Sequence, residues 1–218
     1  MNNDETIRQN VLDDLEWSPL VVATHIGVAV REGIVELTGH VDSYAEKQAA
    51  EHVALAVTGV KGVAQEIGVR LPNHKQTGDD EIAQRAARLI TWDTRIPLEA
   101  IKVKVEKGWV TLSGQVATWS QREFAIADVE KLSGVLGITD AIAIRQAVMP
   151  GNVKVRIEDA LKRQALREAD AIRVSIHAGQ VTLEGSVYSW HERSAARSAA
   201  WAAPGVTDVI DRLQVVSG

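Results

Sequence analysis

One phrase occurs three times in this chain. LTGHVDSYAEKQ begins at Leu37, LSGQVATWSQRE at Leu112 and LEGSVYSWHERS at Leu183. The glycines Gly39, Gly114 and Gly185 lie 75 and 71 residues apart. The same two offsets relate Gly33, Gly108 and Gly179; Val35, Val110 and Val181; Val41, Val116 and Val187; and Gly59, Gly134 and Gly205. So many positions in register make the chain three copies of one unit. Each copy is about 70 residues, near the small end of what buries a core of its own. The expected bounds are 4–71, 79–146 and 152–217. Between them, PNHKQTGD (72–79) and MPG (149–151) have the composition of linkers.

The hydrophobic period changes in a fixed order within each copy. Ile7, Val11 and Leu15 recur every four residues, as do Ile82, Ala86 and Ile90, then Val153, Ile157 and Leu161; this spacing predicts a helix. Strict alternation follows at Ile26-Val28-Val30, Ile101-Val103-Val105 and Ile172-Val174-Ile176, predicting a half-buried strand. Gly33, Gly108 and Gly179 supply a tight turn into a second strand, which Gly39, Gly114 and Gly185 are expected to end. Ser43 with Glu46, Thr118 with Gln121, and Ser189 with Glu192 then fit the S/T-x-x-E/Q capping box. An alanine-containing second helix and a last strand complete the unit. The expectation is an α+β protein of three tandem αββαβ repeats, each a three-stranded mixed sheet with two helices packed on one face. The other sheet face carries Lys102, Lys104 and Arg145 in unit two, and Arg173, Ser175, His177 and Arg212 in unit three. It is the expected surface for packing between units.

This pattern resembles the BON domain family. The resemblance is carried by the hairpin glycine, the V-x-L-x-G-x-V run (Val35 to Val41, Val110 to Val116, Val181 to Val187), the second helix and the G-V-x-x-V entry to the last strand (Gly59 to Val63). Three copies would cover almost the whole chain. Unit three departs at Pro204 and lacks the aromatic that ends the first helix elsewhere, Trp17 and Trp92. The resemblance implies a non-enzymatic module linked to phospholipid or envelope attachment and to osmotic or other stress.

Charge is spread unevenly. Residues 1–72 are net −6, residues 73–149 neutral and residues 150–218 net +1. An acidic chain lacks the basic surplus that drives general nucleic-acid binding. Gly59-Val60-Lys61-Gly62 and Gly134-Val135-Leu136-Gly137 spell a GXXG loop, but they lead from a helix into a strand, whereas the nucleic-acid loop joins two helices. Nucleic acid is therefore not an expected partner. His25, His40, His52, His74, His177 and His191 show no zinc-like spacing, and cysteine is absent, so no metal or other cofactor is expected. No nucleotide-binding or hydrolase motif occurs. Asp13-Asp14 and Asp79-Asp80-Glu81 fit helix starts or solvated faces, and no catalytic residue is assigned. No apolar run approaches a membrane span, and the start is acidic and polar, unlike a secretory signal. A cytoplasmic location is expected, with a periplasmic one only if the chain is a processed form.

Tyr44, Trp119 and Trp190 open the second helices, with Arg122 and Arg193 three residues beyond the tryptophans. Aromatics favour the headgroup region of a bilayer, which makes these five the candidate contacts for anionic phospholipid. The same aromatics also suit the edge of a core. The alternative is a cytosolic protein-interaction scaffold or small-ligand sensor, in which the repeats pack on one another and on an unidentified protein partner.

Overall fold

The computed structural model describes residues 3–72, 77–145, 152–163 and 172–216. His74, the middle of the first linker and MPG lie outside the described residues. Unit one comprises α1 (Asn3–Trp17), β1 (Ile26–Arg31), β2 (Ile34–Val41), α2 (Tyr44–Ala56) and β3 (Gly62–Val69). Unit two repeats the order with α3 (Asp79–Trp92), β4 (Ile101–Glu106), β5 (Trp109–Val116), α4 (Trp119–Glu130) and β6 (Gly137–Ile144). Unit three has α5 (Val153–Arg163), β7 (Arg173–His177), β8 (Gln180–Val187), α6 (Trp190–Trp201) and β9 (Asp208–Val215). The fold is α+β, and each unit forms a three-stranded mixed sheet with two helices.

In each sheet the second strand is central. It pairs antiparallel with the first across a tight turn and parallel with the third across the second helix. Both central turn residues have positive φ: 53° and 81° at Glu32-Gly33, and 52° and 76° at Lys107-Gly108. That conformation matches the twist of a two-residue hairpin. A carboxylate from the first helix holds the turn. Asp4 accepts from the Glu32 and Gly33 N–H groups at 2.9 Å each, and Asp79 accepts from Lys107 at 2.6 Å and Gly108 at 2.8 Å. Asp79 thus has a defined structural partner beyond the helix start read from the sequence.

Each unit buries its own cluster. Ile7, Val11, Leu15, Val35, Leu37, Ala50, Ala54 and Ile67 form it in unit one, with counterparts in the other two. Ala50, Ala125 and Ala196 are fully buried, where the small side chain lets the second helix lie close on the sheet. Two expectations are corrected. Gly39, Gly114 and Gly185 do not end the second strand, which continues to Val41, Val116 and Val187. Gly39 and Gly114 sit where the first strand's entry already occupies the side-chain space. A Cβ on Gly39 would lie 2.0 Å from the His25 carbonyl oxygen, and one on Gly114 2.0 Å from that of Ala100. Nor does the polar sheet face pack the units together. Lys102, Lys104, Arg145, Arg173, Ser175, His177 and Arg212 are all exposed, and the units meet through their second helices.

Candidate functional site

The second helix starts the same way in each unit. The hydroxyls of Ser43, Thr118 and Ser189 accept from the N–H groups of Glu46, Gln121 and Glu192. The returning side chain differs. Gln121 accepts from the Thr118 N–H itself, closing the full box. Glu46 accepts from Asp42 and from Val22 of the preceding loop, and Glu192 accepts from Tyr188. Thr118→Ala removes one acceptor from a helix start. It should cost about 1 kcal/mol, read as a lower urea midpoint with unchanged slope.

These caps fix where Tyr44, Trp119 and Trp190 point, and none of the three stands on a free surface. Tyr44 of unit one packs against the core of unit two. Burial pushes its pKa up and the Glu130 carboxylate adds to the shift, while a 2.7 Å bond from Gln48 opposes it. Trp119 of unit two stacks on Trp201 of unit three, with ring centroids 6.3 Å apart and planes 13° apart. Trp190 of unit three packs against the core of unit one, in a cleft shared with Leu55 and Ala56. Leu55, Glu130 and Trp201 occupy equivalent positions by the two repeat offsets. Each aromatic therefore docks near the end of the next unit's second helix, one onto two, two onto three, and three back onto one. Head-to-tail contacts at equivalent positions that close on themselves make a ring.

The two arginines are committed within their own units. Arg122 pairs with Asp140, and Arg193 Nε donates to Asp211 at 2.7 Å. The same two aspartates accept the N–H groups of Ile142 and Leu213. Unit one uses Lys47 Nζ on the Ile67 carbonyl at 2.8 Å, and Gln65 in the aspartate's place. The GXXG segments are also engaged. The N–H groups of Lys61 and Leu136 donate to the Gly33 and Gly108 carbonyls at 2.8 and 2.9 Å. His25 and His40 stack with ring centroids 4.7 Å apart. Among the described residues no three His, Asp or Glu side chains converge as a metal-ligand set.

The exposed apolar side chains lie elsewhere. Trp17 is 90% exposed and Trp92 84%, at equivalent ends of α1 and α3. Leu20 at 71% and Leu98 at 75% follow them in the loops to β1 and β4. In unit two a cleft of about 700 Å³ runs between α3 and β4, lined by Ala87, Ile90, Pro97, Leu98 and Lys102. Arg95 in that loop caps Asp93, whose pKa it lowers to about 2, and lies 3.8 Å over the Phe124 ring. Trp17 and Trp92 were visible in the sequence only as aromatics ending the first helix. A heptad-like signal could not mark them, because they fall off the buried stripe.

The chain is three tandem α+β units closed through their second helices. The BON domain model matches residues 3–70, 78–146 and 151–217, and the chain belongs to the BON domain family. Osmotically-inducible protein Y of Escherichia coli (strain K12) is 28% identical over 140 residues, covering 62% of this chain and 70% of that protein. CdsD, a structural protein of the type III secretion system of Chlamydia trachomatis, aligns at 16% identity over 96% of this chain and 92% of its own, with a TM-score of 0.27. The PrgH periplasmic domain aligns at 15% identity over 94% and 99%, with a TM-score of 0.23. Among the described residues, no helix is long and apolar enough to cross a membrane.

Proposed function

We propose that this chain is a non-enzymatic, stress-associated binding protein that attaches to anionic phospholipid through the exposed loops of units one and two. The carrying observation is the pair Trp17 and Trp92, almost fully exposed at equivalent positions, with Leu20 and Leu98 also exposed in the loops that follow. Large apolar side chains grouped in water mark an interaction surface, and tryptophan favours the bilayer interface. Tyr44, Trp119 and Trp190 serve ring closure in this reading. Unit two is the stronger contact, because Arg88 and Lys102 are exposed in α3 and β4, whereas Trp17 is preceded by Asp13, Asp14 and Glu16. Family resemblance supports a binding role without catalysis. The name of the Escherichia coli relative supports the link to stress.

Flotation with phosphatidylglycerol vesicles at low salt tests this. Trp92→Ala should reduce partitioning about thirtyfold, the equivalent of roughly 2 kcal/mol for one indole leaving the interface. Raising the salt should weaken what remains. Protein that stays wholly in the soluble fraction, or a Trp92→Ala chain that floats like the parent, would sink the lipid reading.

A further inference from the structure

The three seams share one geometry but differ in charge. Around Tyr44, between units one and two, stand Glu130 and Glu51. Between units two and three, Glu123 and Asp208 face Arg122 and Arg197. The third seam is different. Its cleft of about 370 Å³ between α2 and α6 is lined by His52, His191, Ser194, Arg193 and Arg197 over an apolar floor of Leu55 and Ala56, with no carboxylate in the lining.

Two further observations point the same way. The indole Nε1–H of Trp190, which borders this cleft, is buried without a hydrogen-bond partner. A buried donor left unpaired is costly, and such an orphan in a native fold calls for a reason. Arg193 holds Asp211 closely, and Arg197 pairs with the same carboxylate at longer range. The Arg197 Nε lies 3.8 Å from Asp211, beyond hydrogen-bond distance, and its side chain is 53% exposed. Glu123 and Glu130 lie close enough to feel Arg197 and His52 respectively, yet neither lines this cleft. A cleft with two arginines and further donors, and with no carboxylate in its lining, fits an anion.

We infer that the cleft between units one and three binds a small phosphate-bearing anion, with Arg197 as its principal cation, Ser194 and His52 as neighbouring donors, and the Trp190 indole beside it as a reporter. The volume suits a phosphorylated molecule of headgroup size. Bound there, the anion bridges α2 and α6 and tightens the one seam whose units are not consecutive in the chain. This site is separate from the exposed loops of units one and two, so its failure and that of lipid attachment are distinguishable.

The experiment follows the Trp190 indole N–H resonance of the full chain, assigned by its absence in Trp190→Phe, during titration with inorganic phosphate and with glycerol 3-phosphate. Saturable movement of that resonance is expected. Arg197→Ala should weaken the affinity about tenfold, the scale of one charge-assisted hydrogen bond, while Arg197→Lys keeps part of it. Circular dichroism checks that both variants fold. A resonance unmoved by tens of millimolar phosphate overturns the proposal, as does an affinity unchanged in Arg197→Ala. Movement with phosphatidylglycerol vesicles but with neither soluble phosphate overturns it too, because the site would then be reading a membrane.

Discussion

Replacing Gly39 by alanine should unfold the first unit, while Gly68→Ala on the neighbouring strand should leave it as stable as before or slightly more so. Gly39 has a φ of 110°, which an L side chain rarely adopts. Alternation along β2 sends Val35, Leu37 and Val41 inward, and residue 39 shares their parity. The His25 carbonyl oxygen fills that space, 2.0 Å from an added Cβ. Relief would require moving the start of β1, where Ile26 pairs with Gly39 and is itself buried. Strain of this kind costs about 1–3 kcal/mol in the backbone alone, and the steric overlap adds to it, so about 3 kcal/mol or more is expected. At Gly68 a Cβ would meet only the Gly39 carbonyl at 3.8 Å, an ordinary contact without positive φ. Alanine there mainly restricts the unfolded chain, worth about 0.4–1 kcal/mol in favour of folding. Hydrogen exchange resolved by unit provides the readout. Protection should be lost across residues 26–69 in Gly39→Ala and retained in Gly68→Ala. Equal protection in the two variants would show that the glycine is dispensable.

That glycine also marks how far sequence reasoning reaches. Its recurrence established the three units, and its neighbours set the helix and strand periods, because side chains that share a core must keep their spacing. Ile82, Ala86 and Ile90 are buried as their spacing predicts. Its role inside the strand was hidden, since the obstructing carbonyl belongs to residue 25 and proximity across a hairpin leaves no local pattern. The aspartate clamp at residues 4 and 79 was hidden for the same reason, with the N–H donors it accepts from 28 and 29 residues away. The seams were the hardest to see. An aromatic at the first position of a helix has the same sequence signature whether a bilayer or another unit covers it. Tyr44, Trp119 and Trp190 were therefore ambiguous until the neighbouring helix ends were placed. The charge drift towards the third unit was legible, and the donor-rich seam involving α6 accords with it.

The second large effect concerns that closing seam. Trp190→Ala should open the ring between units one and three, and Trp190→Phe should keep it closed. The indole is half-buried and packs on the core of unit one. Losing roughly 120 Å² of apolar burial at ~25 cal/mol per Å² removes about 3 kcal/mol of docking. Docking within one chain has the advantage of an effective concentration in the roughly millimolar range, so a loss of that size leaves the seam mostly undocked. Phenylalanine retains most of the apolar body and deletes the unpartnered N–H, which relieves a burial cost of about 1–3 kcal/mol and offsets its smaller contact. The absence of cysteine makes labelling clean. Spin labels at Glu36→Cys and Ser175→Cys, both exposed on the open sheet faces, should report a narrow distance distribution in the parent and in Trp190→Phe, and a broad, longer one in Trp190→Ala. Trp17→Ala removes an indole of the same size from water rather than from a seam, and should leave the distribution narrow. The Trp119–Trp201 stack should survive in every variant, because that seam lies between units two and three. A narrow distribution in Trp190→Ala would mean that direct contact of α2 with α6 holds the ring without its aromatic.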